Sequence, residues 1–171
     1  MYPSLTSSRK SLGSIRAVRS RLEPILRAAR RRGVFVNIDM EHNAIRPLTL
    51  DLITEVLGAD EFRDWRDVGV AIQAYLRCAR LDLERLLRWS EQRGTPFWIR
   101  LVKGAYAEPR TLAYQKKSDV DENYLSLAKR LLLERRQDSV RPRFATHDRR
   151  LIRQIQKEAK AMGFMKDAYE F

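Results

Sequence analysis

The sequence predicts an α/β fold: a barrel in which parallel strands alternate with helices. Three observations predict it. Short apolar runs alternate with stretches of helical periodicity along the chain. The runs are nearly continuous in apolar residues, the pattern of strands covered on both faces. Their ends fall at Asp39, Gln73, Val102 and Thr146, and a βαβ unit needs about 30 or more residues per step. No Gly-x-Gly-x-x-Gly and no Walker loop is present, so repeated βα units favour a barrel over a doubly wound nucleotide fold.

Each element has its own signal. Residues 1–13 read as loop or disordered chain. Ile15, Val18, Leu22, Ile25 and Leu26 recur at helical spacing, Pro24 marks a kink or restart, and Gly33 stops the helix. Residues 34–38 form a first strand. Residues 48–57 form a helix with Thr49 as a candidate cap and Gly58 at its end. Residues 68–72 form a second strand, and Leu83, Leu86 and Leu87 mark the next helix over 81–89. After the turn at Gly94-Thr95-Pro96 comes a third strand, 97–102. Tyr124, Leu127, Ala128, Leu131 and Leu132 share a helical face, and 144–146 is a fourth strand. Leu151, Ile152, Ile155 and Ala159 mark a last helix stopped at Gly163, and 169–171 begins another strand.

Composition bounds the rest. A chain of 171 residues, 44% hydrophobic and 9% aromatic, builds one domain with a real core. Cys78 is the single cysteine, which rules out an intrachain disulfide and a cysteine metal cluster. No apolar run reaches the ~18 residues of a membrane span. The net charge of +12 suits an anionic partner, but the charges are spread out, as on solvated helix faces. The run Arg27-Ala28-Ala29-Arg30-Arg31-Arg32 closes a predicted helix, where cations favour the macrodipole. The first acidic residue is Glu23, so the basic, Ser-rich start resembles a transit peptide; the helical pattern from Ile15 favours an ordinary helix instead. The expected location is cytoplasmic, with peripheral attachment to the inner membrane an open alternative and a mitochondrial one less favoured.

Each strand delivers polar residues at its C-terminal end: Asp39 with Glu41, Gln73, Arg100 with Lys103, and Thr146 with His147 and Asp148. In barrel enzymes that end is the active-site face. In "FWIRLV" (97–102), alternation sends Phe97, Ile99 and Leu101 to the outer helices and Trp98, Arg100 and Val102 to the barrel interior. A guanidinium there needs a carboxylate or a polar ligand, and Asp39 is the candidate partner. A structural Arg–Asp pair with no chemistry is the plainer alternative.

"VFVNIDME" (34–41), "TLDLITEVL" (49–57), "VGVAIQAYLR" (68–77), "RLVKGAY" (100–106) and "RFATHD" (143–148) together resemble the proline dehydrogenase family, over about residues 14–171. The resemblance implies a distorted (β/α)8, TIM-type barrel holding FAD. It implies oxidation of L-proline to pyrroline-5-carboxylate by hydride transfer to the flavin, in proline catabolism, with electrons passed to quinone or another acceptor. By the same resemblance, Arg100 lies beside the flavin and Asp39 is the acidic active-site residue. Met40, Gln73, Lys103, Gly104, Ala105, Thr146 and His147 match FAD contacts, and Tyr106 matches a tyrosine of the substrate pocket. The residue types agree. A fixed cation stabilises charge on a reduced flavin, Gly104 allows close backbone approach, and the Gln73 amide can donate and accept. No metal ligands are implied. His42 has no matching role and is expected to be exposed. Trp65, Trp89 and Trp98 are expected to pack.

Against the family the chain aligns with strands 3 to 6 and the start of strand 7, as a single domain over 1–171. The lysine of strand 2 and the tyrosine and paired arginines of the last helix, which hold proline's carboxylate, have no match here. Ala107 stands where some members carry an aromatic, and Asn43 where tyrosine is common. The expectation is a proline dehydrogenase segment of low or no activity alone. One alternative is a remnant that binds flavin weakly or completes a barrel with a partner chain. The other, a basic nucleic-acid-binding protein, lacks any recognition motif, so no specific nucleic acid is expected.

Overall fold

Four parallel strands stand side by side in chain order in the computed structural model, which describes residues 9–135 and 137–171. They are β1 (Val36–Ile38), β2 (Val68–Gln73), β3 (Phe97–Val102) and β4 (Val140–Ala145). Helix α1 (Arg9–Arg31) precedes them, and α2 (Arg46–Gly58), α3 (Ala79–Arg93) and α4 (Lys117–Arg135) connect them. Helix α5 (Arg149–Ala161) follows. Each parallel step needs a crossover, and the helices supply it. This is the expected α/β architecture of a partial barrel. After a 3-10 turn at Lys166–Ala168, Glu170 bridges β4 in the parallel sense. Phe144 N donates to Glu170 O (2.8 Å) and Glu170 N to Pro142 O (3.1 Å), the start of the strand expected at 169–171.

The core lies between the sheet and its helices. Phe97, Ile99 and Leu101 of β3 are fully buried there with Leu83, Leu86, Tyr124, Leu127 and Leu131. Burying such a side chain stabilises by about 1.5–3 kcal/mol. All six residues of β2 are buried, as a strand covered on both faces should be. β3 and β4 differ from that expectation: their residues alternate between buried and half-buried, because their second face opens onto a cleft. Arg93, in the last turn of α3, is buried and donates to the carbonyls of Leu57 (3.2 Å), Phe62 (2.9 Å) and Trp65 (2.6 Å). It thereby pins the loop after α2. Gly94 then closes α3 in the left-handed region, at φ 71°.

Several element expectations need correction. Residues 1–8 lie outside the described residues, and 9–13 are helical rather than loop. α1 runs through Pro24 without a break. Its Val18 and Ile25 face solvent, because its packing stripe is Ile15, Leu22, Leu26 and Ala29. Ion pairs complete its seat: Arg27 reaches Glu61 (2.5 Å) and Arg30 reaches Asp64 (2.8 Å). β1 is shorter than predicted and half-buried, as an edge strand. α2 starts at Arg46 with Pro47 in its first turn, so Thr49 is not its cap; the Thr49 hydroxyl donates back to Ile45 O (3.0 Å). α3 and β4 both begin earlier in the chain than predicted.

Candidate active site

The loop after β1 carries Asp39, Met40 and Glu41. Asp39 Oδ1 accepts from Arg100 Nη1 (3.1 Å) and from Asn37 Nδ2 (2.6 Å). The expected Arg100–Asp39 pair therefore forms, across β2, at the open end of the sheet. It is solvent-accessible, so its Coulomb energy is modest and Asp39 chiefly orients the guanidinium. β2 ends in Gln73, buried to 5% exposure. Its Nε2 donates to the Met40 carbonyl (3.0 Å), which fixes the amide: reversed, two acceptors would face each other. Gln73 Oε1 is then left buried with no partner among the described residues. A buried acceptor without a donor costs about 1–3 kcal/mol.

β3 ends in Lys103, Gly104 and Ala105. Lys103 Nζ donates to Asp121 Oδ1 (2.6 Å) and lies 3.4 Å from Asp148 Oδ2. Gly104 has φ 117°, and a Cβ there would run into the Tyr75 ring. Its lack of a side chain thus answers to Tyr75 and to backbone conformation, besides any ligand. The Tyr106 hydroxyl donates to Glu41 Oε2 (2.8 Å), a bond that pushes the tyrosine's pKa up. The exposed His42 ring packs on Tyr106 at 4.4 Å. After β4, Thr146 Oγ1 accepts from Asp148 N (3.1 Å), and Asp148 caps α5 by accepting from Arg150 N (3.0 Å). His147 is exposed beside them.

One cleft of about 910 Å³ collects these strand ends. Asp39, Met40, Gln73, Arg100, Lys103, Gly104, Ala105, Tyr106, Thr146 and His147 all line it. Two further residues shape it. Glu41 holds Tyr106, as above. Arg143, beside Arg100 in the strand register, also lines the cleft. Its guanidinium stacks 4.4 Å from both Phe35 and Trp98 and reaches Glu170 Oε2 (2.7 Å). Trp98 is thus half-exposed beneath a cation rather than simply packed, whereas Trp65 is in the core and Trp89 packs edge-on against Phe97 (5.1 Å).

A family model described as proline dehydrogenase matches residues 3–171. The chain belongs to the proline dehydrogenase family. It is 35% identical over 147 residues to proline dehydrogenase 2 of Bacillus subtilis, covering 86% of this chain and 44% of that protein. To the proline dehydrogenase of Deinococcus radiodurans it is 36% identical, covering 86% of this chain and 43% of that protein. A crystal structure of proline utilization A from Bdellovibrio bacteriovorus superposes with a TM-score of 0.89 at 37% identity, over 94% of this chain and 18% of that one. The chain thus spans less than half the length of the family relatives it matches.

Within that family frame, the missed residues had uneven signals. Arg143 was legible: Phe144 points outward, so Arg143 and Ala145 share the face of Arg100. Asp121 was not. It comes from α4, and only the fold brings it to Lys103.

Proposed function

We propose that this chain forms the flavin-facing part of a proline dehydrogenase site, which oxidises L-proline with FAD and passes the electrons to a quinone or similar acceptor. The observation that carries the reading is the convergence of four strand ends on one cleft, with Gln73 Oε1 buried there and unpartnered.

The residues fit such a cofactor. Gln73 Oε1 needs an N–H donor, and an isoalloxazine edge offers one. Lys103 supplies a cation for a pyrophosphate. FAD, when bound, supplies the two-electron acceptor that the side chains cannot provide. Arg100, oriented by Asp39, contributes a preorganised positive charge where negative charge develops during reduction. Tyr106, held by Glu41 and His42, forms a wall for the substrate. The acidic loop 39–41 and the loop 103–106 are thereby tied across the cleft mouth.

The same geometry supports low turnover by this chain alone. Proline is small, and its orientation depends on its carboxylate. Of the cations lining the cleft, Arg100 is already paired with Asp39 and Arg143 with Glu170, and Lys103 is assigned to the cofactor. Each charge-assisted contact missing from the substrate costs about 1.5–3 kcal/mol, and lost orientation costs more. A partner chain that adds a carboxylate clamp is the corresponding reading for activity. Peripheral attachment to a membrane stays within the proposal; among the described residues no helix is long and apolar enough to cross one.

The test is spectroscopic and kinetic. The purified chain is titrated with FAD, then assayed for proline-dependent reduction of a quinone analogue beside an Arg100→Met control. Flavin binding with little turnover is expected. No flavin binding would refute the cleft assignment; robust turnover abolished in the control would refute the claim of low activity.

A further inference from the structure

Helix α4 contributes a carboxylate that its own packing does not require. Asp121 is buried to 2% exposure on a helix whose other inward residues include Tyr124, Leu127 and Ala128. A buried charge is costly unless it is paired and hydrogen-bonded. Here both oxygens are engaged: Oδ1 with Lys103 Nζ at 2.6 Å and Oδ2 with Lys117 Nζ at 2.5 Å, with Arg150 Nη2 at 3.8 Å. Lys117 and Arg150 are mostly exposed. Lys103 is half-buried and lines the cleft.

We infer that Asp121 is a positioning residue, which fixes the Lys103 ammonium at the cleft rim as the cation that receives the pyrophosphate of a bound dinucleotide flavin. This rests on the flavin reading of the cleft given above. A lysine has a long stem with much rotamer freedom and three N–H donors. Asp121 takes one donor at short range, and Asp148, at 3.4 Å, is the weaker second partner. The stem is thus ordered before any ligand arrives, which lowers the entropic cost of binding. Lys103, Lys117 and Arg150 face the carboxylates of Asp121 and Asp148, so three cations meet two anions and one positive charge remains for a ligand.

The test compares FAD with riboflavin, which has no phosphate, by quenching of flavin fluorescence on titration with the chain. Lys103→Met is expected to weaken FAD about tenfold and leave riboflavin unchanged. Asp121→Asn should do the same. The double variant should be no weaker than Lys103→Met alone, because Asp121 acts through Lys103. Asp121→Glu keeps the charge but shifts it by a methylene, and should still weaken FAD about threefold. That variant decides the matter if Asp121→Asn does not fold.

Wild-type FAD affinity in a folded Asp121→Asn or Asp121→Glu protein overturns the inference. So do additive losses in the double variant, or an equal loss for riboflavin, which would mark a merely structural role. Unchanged FAD affinity in Lys103→Met overturns it at its premise, that Lys103 meets the phosphates. Absence of binding by the unmodified chain to either flavin would instead fail the reading of the cleft as a whole.

Discussion

The ring of Tyr75 occupies the space that a Cβ at position 104 would need. Tyr75 follows β2, and Gly104 follows β3 at φ 117°, where residues with a side chain are strained. The two strand ends also share backbone bonds: Ala74 N donates to Val102 O (2.8 Å) and Tyr75 N to Lys103 O (2.7 Å). This contact sets how closely the loops above β2 and β3 approach, and so the shape of the cleft between Gln73 and Lys103.

Gly104→Ala is accordingly expected to destabilise the chain by about 3 kcal/mol, from backbone strain and displacement of a buried ring. The measurement is the urea midpoint by circular dichroism. A loss below about 0.5 kcal/mol would show that Tyr75 moves aside freely.

Arg93 is expected to be worth more than a surface arginine. It satisfies three buried carbonyls and stacks over Trp89 at 5.4 Å. Arg93→Ala removes the guanidinium donor from all three, although Phe62 O keeps its bond from Trp65 N (3.1 Å). A buried carbonyl left without a donor costs about 1–3 kcal/mol where water cannot reach it. A total loss of about 3 kcal/mol or more is predicted in chemical denaturation. Arg93→Lys should recover only part, since an ammonium cannot reproduce the planar fork.

The buried pair of Arg46 and Asp82 is expected to be a poor stabiliser that is nonetheless costly to break. Burial pushes the Asp82 pKa up, and that outweighs the pull of Arg46 in the other direction. Removing one partner, as in Arg46→Met, should cost about 3 kcal/mol, because it strands a buried charge. The double variant Arg46→Met with Asp82→Leu should return to within about 1 kcal/mol of the parent. A double-mutant cycle of denaturation midpoints measures this directly.

The cluster beside Lys103 gives the chain an acid-sensitive edge. Burial alone would raise the Asp121 pKa, but its bonds to Lys103 and Lys117 bring it below the ordinary value. The Lys117 bond likewise holds Asp148 far below that range. Depressed carboxyl pKa values contribute stability that is fully present above the unfolded value of about 4 and lost as pH falls through the lower folded values. Lys117 has the opposite sign. Pairing with Asp121 and then Asp148 raises it to about 12, so its contribution is present below its ordinary value and lost as pH climbs through about 12. Urea midpoints should hold level near neutrality and fall below about pH 4. Asp121→Asn should be less stable at pH 6 and show a shallower acid slope; an unchanged slope would exclude this cluster as a source.

Much of this was written locally. The parallel strands, their order and the polar residues at their ends follow from short-range patterns: apolar runs of strand length, helical periodicity, and alternation across β3 that sent Arg100 inward. The motifs "NIDME", "RLVKGAY" and "FATHD" together indicated the family, because most of their polar residues stand at strand ends, local in the chain as well as in the cleft. Misreadings came where a local rule met a tertiary one. Val18 and Ile25 fit the helical spacing of α1 yet face solvent, since the surface α1 meets is narrower than its apolar stripe. Thr49 looked like a cap, but Pro47 had already opened the helix.

What the sequence determined by itself is the set of elements and which residues stand at their ends, because hydrogen bonding along a helix and side-chain alternation along a strand are properties of neighbours. What only the tertiary structure decided is which distant groups meet. Asp121 on α4 holds Lys103 after β3, Arg93 caps carbonyls of the loop after α2, and Tyr75 excludes any side chain at Gly104. Those partners are joined by the stacking of strands and helices in three dimensions, and the energetic cost of leaving a buried charge, carbonyl or ring unmatched is settled only once the chain has closed around it.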